Sequence, residues 1–303
     1  MSAAGPGRPT AGRPRIRPAR QEELSQLGAL YVRAGFTARL AGVVGFARAR
    51  LSGEVFVADL DGELVGVAAG AHFGASGWVG GVAVTPERRR AGLGGALTEA
   101  VVAHLRGRQA GTVQLLATEL GRPVYERIGF VAEAEYLTLA GAPGALGGSG
   151  GPQGGPREHR GRAGGVPMAG VRAGRPGDRA AVLALDRLAT GEDRRRLLDS
   201  LWPAGGLVAG EGALRGFHLA SPWRSGGATV ATDPEAGLAL LEAVRRTTAG
   251  EMSVSLPAGN RAGLLALAAA GFRERSGTTR MCLGPPLPWR PESVFGAHNL
   301  FWG

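Results

Sequence analysis

Residues 82–101, VAVTPERRRAGLGGALTEAV, bring together the residue types and spacing that could hold an anion. An apolar, strand-like run ends at Thr85-Pro86, an Arg-rich turn follows, and a helix is expected from about Gly92. The first turn of a helix leaves backbone N–H groups unpaired and carries a partial positive charge, so anions settle there. Glycine at 92, 94 and 95 removes the Cβ atoms that would keep a phosphate away from the backbone. Arg88, Arg89 and Arg90 add planar donors suited to phosphate oxygens. The combination predicts a diphosphate cradle. A nucleoside-triphosphate P-loop needs a lysine, and the chain has none. A dinucleotide fingerprint needs a third glycine, where Gly92-x-Gly94-x-x-Leu97 has leucine. The competing reading is an ordinary Arg-rich turn in a chain with 53 glycines.

Arg89-Arg90-Ala91-Gly92-Leu93-Gly94 resembles the Arg/Gln-x-x-Gly-x-Gly/Ala motif of the GNAT N-acetyltransferases, and Val82-Ala83-Val84 is similar to that family's cofactor-binding strand. A second stretch, ATELGRPVYERIGF at residues 117–130, looks like the family's later strand and helix. The resemblance implies acetyl-CoA as acyl donor and no metal. Val82, Ala83 and Val84 would carry the pantetheine arm. The backbone of Arg89, Arg90, Ala91, Gly92, Leu93, Gly94 and Gly95 would hold the pyrophosphate. Tyr125 stands where many members carry a tyrosine that protonates the coenzyme A sulfur, and a phenol with a pKa of about 10 keeps its proton at neutral pH. The other reading of Tyr125 is plain helix packing. No motif fixes a general base. Glu119 and His72 are candidates, beside a water relay or uptake of already neutral amine.

These groups need strands and helices to position them. Arg15–Pro18, Glu54–Asp59, Leu64–Ala69, Trp78–Thr85, Val113–Thr118 and Glu133–Leu139 read as strands, with Asp61-Gly62 a tight-hairpin signal and Gly80-Gly81 permitting a bulge. Gln21–Val32, Gly92–Leu105 and Arg122–Ile128 read as helices, the last stopped by Gly129. The order predicts a mixed α/β sheet with helices on its faces.

A polar, Gly-rich stretch at 141–165 reads as a linker, and 1–13 as a flexible tail. They leave a first domain over 14–140 and a second over 166–303, in keeping with roughly 130–150 residues per domain. The second block repeats the element order. Pro86-Glu87 corresponds to Pro234-Glu235, and GGALTEAV at 94–101 to GLALLEAV at 237–244, but RRRAGL at 88–93 is reduced to Ala236. Counted back from the shared Gly-Phe pair, Leu267 replaces Tyr125. The block is similar to the C-terminal half of tandem GNAT proteins, so the expected fold is two tandem GNAT-like α/β (α+β) domains, each a mixed, mostly antiparallel sheet flanked by helices. The second would lack the pyrophosphate loop, bind no coenzyme, and shape the acceptor site. Asp186, Glu192 and Asp193 are candidates to hold a cationic acceptor, against a reading as a solvated helix end. The tryptophans at 202, 223, 289 and 302 read as packing.

A formal charge of +10 invites nucleic acid, but the charge is all arginine and scattered, which fits the coding bias of a GC-rich bacterial genome. Nucleic acid is therefore not expected as the partner; a small-molecule or peptide amine is. Cys282 stands alone, so neither an internal disulfide nor a cysteine metal site is expected, and the thiol reads as buried packing. No apolar run approaches the roughly 20 residues of a membrane span, and the basic N-terminus lacks a signal-peptide core. A cytoplasmic enzyme is the expectation, with a homo-oligomer left open and a non-catalytic acyl-CoA-binding protein as the rival.

Overall fold

The computed structural model describes residues 13–142, 170–202, 206–223 and 226–302. Of the tail expected at 1–13, residues 1–12 lie outside the described residues, as do residues 143–165 of the linker expected at 141–165, whose first residue, Gly141, ends a strand.

The first half runs β1 (Arg15–Pro18), α1 (Leu27–Arg33), α2 (Leu40–Arg50), β2 (Val55–Leu60), β3 (Glu63–Phe73), β4 (Ser76–Val84), α3 (Leu93–Gly107), β5 (Thr112–Ala117), α4 (Arg122–Ile128) and β6 (Val131–Gly141). The β2–β3 hairpin turns at Asp61 and Gly62, both at positive φ, as a two-residue primed turn requires. The second half runs β7 (Val171–Ala173), α5 (Arg179–Thr190), α6 (Arg195–Leu201), β8 (Gly206–Ala209), β9 (Gly216–Leu219), β10 (Ala228–Ala231), α7 (Pro234–Thr247), β11 (Met252–Pro257), α8 (Arg261–Ala269), β12 (Arg273–Leu283) and β13 (Val294–Gly296).

Two mostly antiparallel sheets flanked by helices result, with β4–β5 the parallel pair among the described strands. The halves do not keep their strands to themselves. One sheet has the order β1-β2-β3-β4-β5-β12-β6-β11, so β12 from the second half sits between β5 and β6 of the first. Its register places Met281 opposite Leu115 and Thr278 opposite Tyr136. A strand with two edges needs two hydrogen-bonding partners, and the chain satisfies β6 on both sides from its other half. The remaining sheet has the order β13-β10-β9-β8-β7.

Opposite faces of the large sheet are covered differently. Leu97, Val101 and Leu105 of α3 pack on Val65, Ala68 and Val79, and fully burying each such leucine contributes about 1.5–3 kcal/mol. On the other face, Tyr31 and Val44 of α1 and α2 share one apolar cluster with Val182, Leu185 and Phe217 of the second half. The two halves therefore have a core in common. Among the described residues, no helix is long and apolar enough to cross a membrane.

Candidate active site

β4 and β5 pair only over Ser76↔Thr112, Gly77↔Val113 and Trp78↔Gln114. Beyond that rung β4 continues to Val84 with β3 on one side, leaving the backbone of Val79–Val84 unpaired toward β5. A register shift opposite Val67–Ala69, with Gly81 at φ +64°, forms the bulge that turns this edge outward. Val82, Ala83 and Val84 lie on that open edge.

The loop after β4 makes one 3-10 turn at Pro86–Arg88 and enters α3 through Gly92, whose φ of +78° suits glycine. Across Arg90–Gly95 no backbone N–H finds an acceptor among the described residues; the helix ladder starts with Ala96 N–H donating to Gly92. Space around the Cβ positions of Gly92 and Gly94 is open to 4 Å. Unpaired amides beside open space at the start of a 15-residue helix are an arrangement that suits an anion. One part of the sequence reading needs correction. The Arg89 guanidinium is not a free phosphate donor: Nη2 donates to the Ala34 carbonyl at 2.7 Å and Nε to that of Val84 at 3.2 Å. A planar fork of donors can reach two carbonyls at once, and Arg89 thereby fastens the loop to β4 and to the end of α1.

Tyr125 projects from α4 into the α3 side of the sheet, half-buried, with its ring edge-on to Phe130 at 6.1 Å. Its hydroxyl has no hydrogen-bond partner among the described residues. Burial pushes its pKa up to about 12, so the phenol keeps its proton. Of the two base candidates, Glu119 is exposed just past β5. His72 sits across from Gly77, at the paired end of β4, with Nε2 2.9 Å from the Arg108 carbonyl. Neither meets the open edge.

The equivalent places in the second half are filled. Thr232 and Asp233 alone join β10 to α7, and the Asp233 carboxylate accepts from the Ala236 N–H at 3.0 Å, so that helix start is capped by its own chain. β13 pairs with β10 and reaches β11 through the Ala297 N–H to the Ser255 carbonyl, 2.7 Å. Phe295 is wholly buried there, and a Cβ on Gly237 would stand 2.5 Å from its ring. Leu267, the counterpart of Tyr125 in the second half, is buried; Phe130 N–H donates to the Tyr125 carbonyl and Phe272 N–H to that of Leu267, both at 3.0 Å, so the two helix ends match.

Two models of one family, each described as an acetyltransferase (GNAT) domain, match residues 51–132 and 182–296, together well over half of the chain. The chain belongs to the GNAT acetyltransferases. Among solved structures, this tandem GNAT protein is similar to a provisionally named acetyltransferase from Pyrococcus horikoshii, at 19% identity and TM-score 0.76, covering 100% of both chains. It is also similar to a tandem GNAT protein of the clavulanic acid biosynthesis pathway, at 16% identity and TM-score 0.60, covering 90% of this chain and 99% of that one. A GNAT protein from Sphaerobacter thermophilus aligns at 18% identity and TM-score 0.58, over 92% and 99%. At such identities the likeness concerns the fold. No curated protein matches by sequence.

Two of the three acidic candidates of the second half, Asp186 and Glu192, are not a solvated helix end in this GNAT protein. Asp186, 1% exposed, is paired with the buried Arg194 at 2.6 Å. Glu192, 3% exposed, accepts hydrogen bonds from Ser76, Trp78 Nε1 and Gln114 Nε2 at 2.8–2.9 Å. Only Asp193 is exposed. Burial raises the pKa of Glu192, while Arg194 and Arg280 pull it back. Arg280 donates to Gln114 and Glu133 and lies 3.9 Å over the Trp289 ring. These positions are hard to read because acidic side chains near a helix end look like surface, and it is the docking of the halves that covers Glu192. Cys282 is buried, its thiol pushed up to about 11. Among the described residues, no group of three or more His, Cys, Asp or Glu is placed to hold a metal.

Proposed function

We propose that the first half binds acetyl-CoA along the open edge of β4 and transfers the acetyl group to a primary amine, while the second half binds no coenzyme and shapes the acceptor side. One observation carries the reading: an edge of β4 that has no β5 partner beyond Trp78 leads directly into unpaired amides at Arg90–Gly95. The pantetheine arm is itself an amide chain, able to bond to Val82 and Val84 as a strand would, and its diphosphate matches the cradle.

In this mechanism a neutral amine nitrogen attacks the thioester carbonyl carbon. A backbone N–H of the Val82–Val84 edge polarises the carbonyl oxygen. As the C–S bond breaks, the sulfur takes the Tyr125 proton, and the nitrogen gives up one proton to water, from which Tyr125 is recharged. Amide and free coenzyme A are the products. The half-buried, unpartnered phenol supports that assignment. In the second half, the Asp233 cap and Phe295 occupy the two places a coenzyme would need, which supports its non-binding role.

The test is thiol release from acetyl-CoA with a panel of amines. Amine-dependent release supports the reading; coenzyme binding without release with any amine leaves a binding protein in its place.

A further inference from the structure

β4 and β5 share their rungs as far as Trp78↔Gln114 and then part, β4 following β3 and β5 following β12. The edge assigned above to the pantetheine arm begins at this fork. On the face turned away from α3, Ser76 and Trp78 of β4 point the same way as Gln114, the rung partner of Trp78. One side chain of the second half meets all three. Glu192 Oε1 accepts from Ser76 Oγ at 2.8 Å and Trp78 Nε1 at 2.9 Å on β4, and from Gln114 Nε2 at 2.8 Å on β5. A single oxygen thus bridges the two strands at the last rung they share.

The bridge is held from both sides. Gly191 ends α5 at φ +74°, and a Cβ there would stand 3.1 Å from Pro288. The Glu192 N–H donates to Thr190 Oγ1 at 3.2 Å, and the buried Asp186–Arg194 pair, 2.6 Å, brackets the turn. On the sheet side, Gln114 Oε1 accepts from Arg280, so both ends of its amide are engaged. Arg280 also donates to Glu133 at 2.9 Å and lies over the rings of Trp78 and Trp289 at 5.5 and 3.9 Å. A buried network whose members are paired resists deformation.

We propose that Glu192 is a positioning residue for the donor site: it staples β4 to β5 at the fork, so that acetyl-CoA binding by the first half depends on the docked second half. Slackening at the fork displaces Val82 and Val84 relative to the amides of the α3 loop, and a ligand spanning both loses its fit. The proposal rests on the transferase reading. It adds a coupling between the halves that needs no contact between Glu192 and the coenzyme.

The experiment is calorimetric titration of acetyl-CoA into the full chain and its variants, with urea unfolding recorded in parallel. Glu192→Leu fills much the same space and leaves the three donors without their acceptor; the dissociation constant should rise about tenfold. Glu192→Gln keeps an oxygen able to take all three bonds and should stay within about threefold of the unsubstituted chain. Leu241→Ala, in a separate apolar cluster of the second half, controls for lost stability and should leave the affinity unchanged. The proposal falls if Glu192→Leu binds as tightly as the unsubstituted chain, if Glu192→Gln binds no better than Glu192→Leu, or if Leu241→Ala weakens binding as much. In each case binding by the unsubstituted chain leaves the donor site standing, whereas its absence there removes both. Should Glu192→Leu melt early, Ser76→Ala combined with Trp78→Phe frees β4 from the same carboxylate and decides instead, with the same rise expected.

Discussion

Trp78 and Glu192, 114 residues apart in sequence, meet as an indole N–H donating to a buried carboxylate at 2.9 Å. The same carboxylate accepts from Gln114, the residue opposite Trp78 on β5, so a side chain of the second half ties the last rung before β4 and β5 diverge. Removing it strands three donors. Glu192→Ala should cost roughly 3 kcal/mol or more in denaturant unfolding, and a loss under 1 kcal/mol would show the network to be incidental. Because burial raises its pKa, the folded chain holds this proton more tightly than the unfolded chain. Its contribution is full at low pH and fades as pH rises through the folded value.

Glu23, paired with Arg17, acts in the opposite sense. Glu23 is held down to about 2, chiefly by hydrogen bonds from Arg17, with desolvation opposing. The unfolded chain binds that proton first on acidification, so stability present above the usual carboxylate range drains away as pH falls toward about 2. Urea titrations at stepped pH should show that acid limb, and Glu23→Gln should flatten it.

Asp233 offers a test of whether the halves differ in function. Asp233→Ala removes a helix cap and should cost about 1 kcal/mol, without changing acetyl-CoA affinity or its stoichiometry of one per chain. A calorimetric change in either would mean that the second half binds coenzyme.

Tyr125→Phe keeps the ring against Phe130 and deletes the hydroxyl alone. Turnover should fall about 100-fold with acetyl-CoA affinity nearly unchanged. Equal turnover in a thiol-release assay would reduce Tyr125 to packing.

Much of this arrangement is legible in the residues. Gly129 ends α4 at φ +102°, and Arg15–Pro18 forms β1, because local backbone preferences decide such features. The Gly92 entry to α3 is equally local. What resists reading is long-range. Nothing in RERSGTTRMCL says that β12 pairs with β5 and β6 of the other half, since a strand's pattern specifies its faces and not its partner. VFG at 294–296 is too short to signal a strand, yet it fills the second half's cleft. Glu192 and Arg89 were misjudged for the same reason: their partners come from other elements.

The most direct test of the account is calorimetric titration of acetyl-CoA into the full chain and into Gly94→Asp. A carboxylate in the first turn suits the helix dipole, so the fold should hold, but it occupies the diphosphate's place with the wrong charge. One site per chain, weakened about 100-fold or more by the substitution, is the expected result. Binding unaffected by Gly94→Asp would place the coenzyme elsewhere and contradict the account.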